Sequence, residues 1–308
     1  MAERSVDVCV CTFRRESIAA TLRSLAHQEL GGVRMRVIVA DNDEHDGARE
    51  RIEAAAAREG VALTYLHAPA RNISLARNAA LEAARAPWIA VLDDDETAAR
   101  GWLAALLDAA ERTGAEVVLG PVRASYHDDV PEWMRRGDFH SAEPPTRGGQ
   151  IQTGYTSNVL FRRDVGPLEG QRFRLDLGRS GGEDTEFFHR AWRAGARIAY
   201  APDAVVCERV EPGRATLRWL ARRRFRSGQS HGMLIAASIK GPGGRAREVA
   251  LALAKVGACA AAGLASLPSA ERRAFWLLRG ALHAGVLSRL AGMRKLTIYG
   301  GEDAVASR

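Results

Sequence analysis

Short apolar runs alternate with stretches of helical spacing over the first part of the chain. The runs cover Val6 to Thr12, Met35 to Asp41, Leu63 to His67, Trp88 to Leu92 and Val117 to Val122. Helical spacing predicts helices at Ile18 to Gln28, Gly47 to Glu59, Ser74 to Ala84 and near Trp102 to Thr113. A βα repeat of this kind predicts a mostly parallel sheet with helices on both faces, and such sheets bind ligands at the carboxyl ends of their strands. Three of these runs stop in polar residues: Thr12-Phe13-Arg14-Arg15, Asp41-Asn42-Asp43 and Asp93-Asp94-Asp95-Glu96.

From Tyr126 to Gln150 periodicity lapses, and Pro131, Pro144, Pro145, Gly148 and Gly149 predict a long irregular connection of the kind that covers a site. A strand is expected from Tyr155 to Phe161, a turn at Gly178 to Gly182, a helix from Asp184 to Ala194 and a short strand at Arg197 to Ala201, with Ala204 to Glu211 closing the body. The expected division is a body over 1–211 and a helical extension over 212–308. In the extension, Thr216 to Ser238 reads as an Arg-rich helix, Gly241-Pro242-Gly243-Gly244 as a break, and Val249 to Leu267 as an Ala-rich apolar stretch. An amphipathic segment follows from Arg272 to about Leu290.

The 308 residues carry a formal charge of +7, and that charge is unevenly placed. Residues 1–211 hold 27 Lys and Arg against 33 Asp and Glu, whereas 212–308 hold 17 against 4. A basic segment meets nucleic acid or an anionic membrane surface; the apolar stretches beside this one favour interfacial helices and no nucleic acid. Cys9, Cys11, Cys207 and Cys259 show neither a disulfide framework nor zinc spacing, which suits a reducing cytosol. The first five residues lack the basic region and apolar run of a signal peptide, so the expected location is cytoplasmic, peripheral at the inner face of the plasma membrane.

The chemistry concentrates in two acidic motifs. A buried-type strand that stops in four acids is costly unless a cation relieves the repulsion, and hard divalent ions such as Mg²⁺ or Mn²⁺ accept carboxylate oxygens while leaving positions for phosphate. Glu183 and Asp184 follow Gly181-Gly182 at a helix start, where a carboxylate can take a proton from an acceptor hydroxyl. A Gly-x-Gly-x-x-Gly sequence after the first strand is missing, which argues against a dinucleotide-binding domain.

Six pieces in order resemble the family 2 glycosyltransferases, inverting enzymes of the GT-A (nucleotide-diphospho-sugar transferase) fold. They are Val8 to Arg15, Val37 to Asn42, Asn72 to Asn78, Asp93 to Asp95, Thr156 to Arg163, and Gly182 to Asp184. The resemblance implies an α/β fold with a mostly parallel central sheet flanked by helices, followed by the helical, basic and apolar extension. It implies that Thr12, Phe13, Arg14 and Asp41 contact the nucleoside, Arg77 the base or diphosphate, and Asp93 and Asp94 the ribose, diphosphate or metal. Asp95, with Asp93, is the implied metal ligand, Asp184 the general base, and Glu183 a neighbour of the sugar or acceptor hydroxyls. Asn158 is assigned beside the acceptor pocket, and Arg226 or His231 against the diphosphate. The resemblance implies addition of a single sugar, since the Gln-x-x-Arg-Trp motif of the family's processive members is not evident. The basic tail resembles that of bacterial exopolysaccharide enzymes such as succinoglycan glucosyltransferases, which implies a UDP-hexose donor and a glycan or polyprenyl-diphosphate-linked acceptor. A nucleotidyltransferase would show a Gly-rich loop after the first strand, and a non-catalytic membrane-binding module would not need both acid motifs.

Overall fold

A computed structural model describes residues 4–296. The elements run β1 (Ser5–Thr12), α1 (Ile18–Ala26), β2 (Arg34–Asp41), α2 (Arg49–Glu59), β3 (Leu63–His67), α3 (Ile73–Ala83), β4 (Trp88–Asp93), β5 (Glu96–Ala98), α4 (Trp102–Thr113), β6 (Val117–Leu119), β7 (Val122–Ser125) and α5 (Glu132–Gly137). They continue through β8 (Thr146–Arg147), β9 (Gln150–Ile151), β10 (Asn158–Arg162), α6 (Glu183–Arg193), β11 (Ile198–Tyr200), β12 (Val206–Arg209), α7 (Leu217–Ser238), α8 (Gly241–Ala265) and α9 (Ala270–Leu290).

Seven strands form the main sheet in the order β11-β6-β10-β4-β1-β2-β3, with β10 alone antiparallel to its neighbours. Side chains alternate across a strand, so Val6, Val8 and Val10 enter one buried cluster while Cys9 and Cys11 enter the other. Helices α1, α2 and α4 pack on the first face, and α3 and α6 on the second. Burial on both faces is why these strands read as continuous apolar runs.

The chain falls into two compact units. One comprises Met1–Arg123, Ser141–Arg179 and Glu183–Arg209; the other comprises Ala124–His140, Ser180–Gly182 and Val210–Arg308, each as far as it is described. The second unit is helical. Leu220, Ala274 and Leu278 pack there with Val130, Met134 and Phe139. Helices α7 and α9 meet backbone to backbone, since a Cβ on Gly228 would lie 1.9 Å from the Leu282 carbonyl oxygen and one on Gly285 1.9 Å from that of Phe225. Helix α8 is long and apolar enough to cross a membrane, and only 11% of its apolar window is buried. Leu251, Leu253, Leu264, Leu267, Phe275 and Leu277 are exposed on and between α8 and α9.

Four expectations need correction. The run from Val117 to Val122 is two strands, because the chain turns at Gly120-Pro121; a Cβ on Gly120 would stand 2.3 Å from the Ala204 carbonyl oxygen. The irregular span contains α5 and the β8–β9 hairpin, which turns through Gly148 and Gly149 at positive φ. The strand expected from Tyr155 starts at Asn158. The break expected at Gly241 to Gly244 falls at Ile239 and Lys240, and those glycines form the first turn of α8, where Pro242 loses no hydrogen bond.

Candidate active site

Parallel register carries three of the polar strand ends to one edge of the sheet. Thr12 pairs with Asp41 and Cys11 with Asp93. The acid turn after β4 is fixed by its own groups and by α1. Glu96, fully buried, accepts from the Asp93 backbone N–H at 2.8 Å, and the Thr21 hydroxyl donates to the Asp94 and Glu96 carbonyls. The Thr12 hydroxyl donates to Asp94 Oδ2 at 2.7 Å. Desolvation raises the Asp94 carboxyl to about 6 against the pull of Arg15 and Thr12, and it raises Asp93 above the ordinary carboxylate range, with Asp95 and Asp94 adding to the shift and Arg77 opposing it.

Arg15 answers this charge: its guanidinium pairs with Asp95 and lies 3.5 Å from Asp94. Sequence reasoning passed over Arg15 in favour of Arg14. Arg14, at φ +56, instead makes a two-pronged pair with Asp43 at 2.7 and 2.8 Å and lies over the Phe13 ring. Asp41 is wholly buried. Its Oδ2 accepts from the Tyr65 hydroxyl at 2.7 Å and its Oδ1 from the Asp43 N–H at 3.0 Å, so its carboxylate shapes the turn after β2.

The second acid motif reaches this edge through Arg77. Asn72 caps α3 by accepting from the backbone of Ser74 and Leu75, which sets the helix that carries Arg77. The buried Arg77 guanidinium hydrogen-bonds Glu183 Oε1, lies 3.7 Å from Asp93 Oδ1, and rests against the Phe173 ring. Desolvation works against its charge, and Glu183 and Asp93 more than restore it. The Glu183 carboxyl is raised by desolvation and by Asp184 in spite of Arg77. Among the described residues, Glu183 Oε2 and Arg77 Nε are buried without a hydrogen-bond partner. Asp184, half-buried in the first turn of α6, accepts from the Thr185 N–H on Oδ1 at 2.6 Å. No signal in the sequence marks Phe173 or Tyr65 as parts of the site.

Asn158 is not available to an acceptor. It is wholly buried, its Oδ1 accepts from Trp102 Nε1 at 2.8 Å, and its Nδ2 donates to the carbonyls of Pro121 and Ala204 at 2.9 and 2.7 Å. Arg226 and His231 lie on α7 of the helical unit.

Residues 7–166 match the family model described as glycosyl transferase family 2. The chain belongs to that family. It is 49% identical over 303 residues to the succinoglycan biosynthesis protein ExoM of Rhizobium meliloti (strain 1021), covering 98% of each chain. It is 27% identical over 247 residues to the glucosyl-dolichyl phosphate glucuronosyltransferase of Haloferax volcanii, covering 73% of this chain and 75% of that one. Among solved structures it resembles the mannosyltransferase PcManGT from Pyrobaculum calidifontis in complex with GDP-Man and Mn²⁺, with a TM-score of 0.60 at 21% identity over 94% of this chain and 88% of that one. This family 2 member is therefore a glycosyltransferase built on the GT-A fold, with its two acid motifs joined through Arg77.

Proposed function

We propose that this glycosyltransferase is an inverting, metal-dependent enzyme that moves one hexose from a UDP-sugar to a polyprenyl-diphosphate-linked saccharide in the assembly of a succinoglycan-like exopolysaccharide. The observation that carries the chemistry is the Arg77 bridge, which holds Asp93 of one acid motif and Glu183 of the other on a single guanidinium. The polysaccharide class rests on the near full-length identity to a succinoglycan biosynthesis protein.

In this reading the acceptor hydroxyl oxygen attacks the anomeric carbon, the bond from that carbon to the diphosphate breaks, and the hydroxyl proton passes to Asp184. Thr185 engages Asp184 Oδ1, which leaves Oδ2 to accept that proton. Arg77 supplies fixed positive charge beside the diphosphate, and Glu183 keeps Arg77 in place. Phe13 and Arg14 border the nucleoside, and Asp41 and Thr12 hold the turns that shape its seat.

The residues fit a divalent cation. The donors are hard carboxylate oxygens, desolvated and mutually repelling enough to raise Asp93 and Asp94. No group of three or more His, Cys, Asp or Glu converges among the described residues, so Asp93 and Asp95 would hold the ion together with substrate oxygens. When bound, such an ion offsets charge on the departing diphosphate.

The exposed apolar residues of α8 and α9 and the basic charge of 212–308 support a peripheral seat on an anionic, cytoplasm-facing membrane, where a lipid-linked acceptor would be found. The donor site is tested by thermal stabilisation with UDP, GDP, dTDP and CDP, each with and without Mn²⁺. A Mn²⁺-dependent shift confined to UDP is expected. Absence of a shift with every nucleotide would overturn the donor assignment.

A further inference from the structure

Within the helical unit, α8 and α9 run antiparallel in close contact. A Cβ on Gly280 would stand 3.4 Å from the Cys259 Cβ, and one on Gly263 would stand 3.7 Å from the Trp276 Cβ, so each turn forward along α8 is a turn back along α9. The same register puts Lys255 level with His283 and Ala284, and Leu264 level with Phe275. On α9, Phe275, Arg279 and His283 follow at four-residue spacing and form one stripe, with the Arg279 guanidinium over the Phe275 ring. On α8, Leu251 stands one turn before Lys255.

The middle of this surface is basic. Burial holds the His283 imidazole below its ordinary value, and Lys255 of α8, Arg279 of α9 and His231 of α7 add to the shift, so basic side chains from three helices act on one ring. Among the described residues, the acids of these helices are engaged elsewhere: α7 has none, Glu248 of α8 pairs with Arg247, and Glu271 of α9 lies by Arg136. Both ends of the surface are apolar. Leu251 is 41% exposed beyond Lys255, and Leu264 and Phe275 are 68% and 45% exposed beyond Arg279.

Gathered cations call for an anion, and exposed leucine and phenylalanine call for an apolar cover. A lipid with an anionic phosphate head supplies both. Free phosphate or nucleic acid would meet the charge and leave Leu251, Leu264 and Phe275 in water. Lys255 lies near the midpoint of α8, where crossing a bilayer would carry its ammonium to the hydrocarbon centre; a helix lying in the interface keeps it among head groups.

We propose that Lys255, Arg279, His283 and His231 form a seat for the phosphate of an anionic membrane lipid, with the acyl chains against the flanking apolar side chains. This rests on the reading of the helical unit as peripheral to a membrane, and it names the group that the unit grips there.

The test titrates the full chain with vesicles of phosphatidylcholine alone and with about one phosphatidylglycerol in five. Lys255→Gln combined with Arg279→Gln removes two charges from the seat; Arg218→Gln combined with Arg222→Gln removes two from exposed positions of α7 as the control. A basic residue near an anionic surface contributes about fivefold to binding, so the seat variant should bind the mixed vesicles about 25-fold more weakly and the control less than about fivefold. All four side chains are exposed, so both melting temperatures should stay within about 2 °C of the parent. Inorganic phosphate, with ionic strength matched by chloride, should leave the parent on the vesicles. Equal losses in the two double variants would overturn the seat alone and leave the membrane contact to general charge. Release by phosphate would overturn the lipid as its occupant. A parent that ignores the mixed vesicles would overturn the membrane reading itself, and the seat with it.

Discussion

Asn158 provides the sharpest separation of scaffold from chemistry, because a residue matching the family's acceptor-side segment turns out to be sealed in the sheet. Replacing it by Leu keeps the volume close and removes three hydrogen bonds at once. The Trp102 indole N–H and the Ala204 carbonyl lose their partner, while the Pro121 carbonyl keeps the Val206 N–H at 3.2 Å. Leaving one buried polar group unsatisfied costs about 1–3 kcal/mol. Two such groups, with some relief from relaxation, give an expected loss of about 2–5 kcal/mol, a large part of the 5–15 kcal/mol typical of a folded domain. Relaxation is limited on the Gly120 side, where a Cβ would already meet Asn158 Nδ2 at 2.4 Å. At about 2–4 °C per kcal/mol, the melting temperature should fall by about 4–20 °C. The assay is urea and thermal unfolding of Asn158→Leu, paired with transfer activity measured well below its melting point. Activity per folded molecule should remain within about threefold of the parent, as expected for a change that acts on stability. An unchanged melting temperature together with abolished transfer would refute this reasoning and return Asn158 to the acceptor site.

Asp184→Asn should bind donor as the parent does while transfer falls by at least about 100-fold, the range for a general base; loss of donor affinity in calorimetry would show that Asp184 holds the donor instead. Asp7 should give a signature in acid. Burial alone would raise its carboxyl, but two bonds from Arg36 and the N–H groups of Ala86 and Arg85 bring it below the ordinary range. Its stabilisation is thus present above the unfolded value of about 3.9 and lost as pH falls through the lower folded value. The gap in urea midpoint between the parent and Asp7→Asn should close as pH is lowered through that window; a constant gap would refute the assignment. Leu264→Glu and Phe275→Glu, both at exposed positions, should leave the melting temperature nearly unchanged and reduce co-sedimentation with anionic vesicles. Unaltered sedimentation would remove the membrane contact.

The sheet was readable because its strands are buried on both faces and end abruptly in polar residues, so that β1, β2, β3 and β4 and the helices between them follow from spacing alone. The site was readable as a set of motifs and unreadable as a set of contacts. Nothing in a sequence couples Arg77 to Glu183 across 106 positions, or Thr12 to Asp94 across 82. Arg14 and Arg15 are adjacent and chemically alike, and only the backbone decides which one faces the acid turn; Arg14 stands at positive φ, directed toward Asp43. Asn158 was assigned beside the acceptor pocket by resemblance alone, and an isolated Asn in a strand carries no mark of burial to correct that. The helix α5 escaped notice because it spans less than two turns and follows Pro131. The GPGG sequence misled because glycines break helices from within and also start them.

The antiparallel strand β10 has a consequence for the protein's birth on the ribosome. Strand β6 has only β10 and β11 as neighbours in the sheet, and both are synthesised after it. While β1 to β3 can close as each βα unit emerges, Val117, Val118 and Leu119 meet their first sheet neighbour only when residue 161 has been added and their second only with residue 200. At about 5–20 residues per second this leaves a sticky, unmated edge on the nascent chain for several seconds. Co-translational chaperones would find their binding segment there, and ribosome pauses between codons 119 and 200 would be expected to raise aggregation more than pauses elsewhere in the gene.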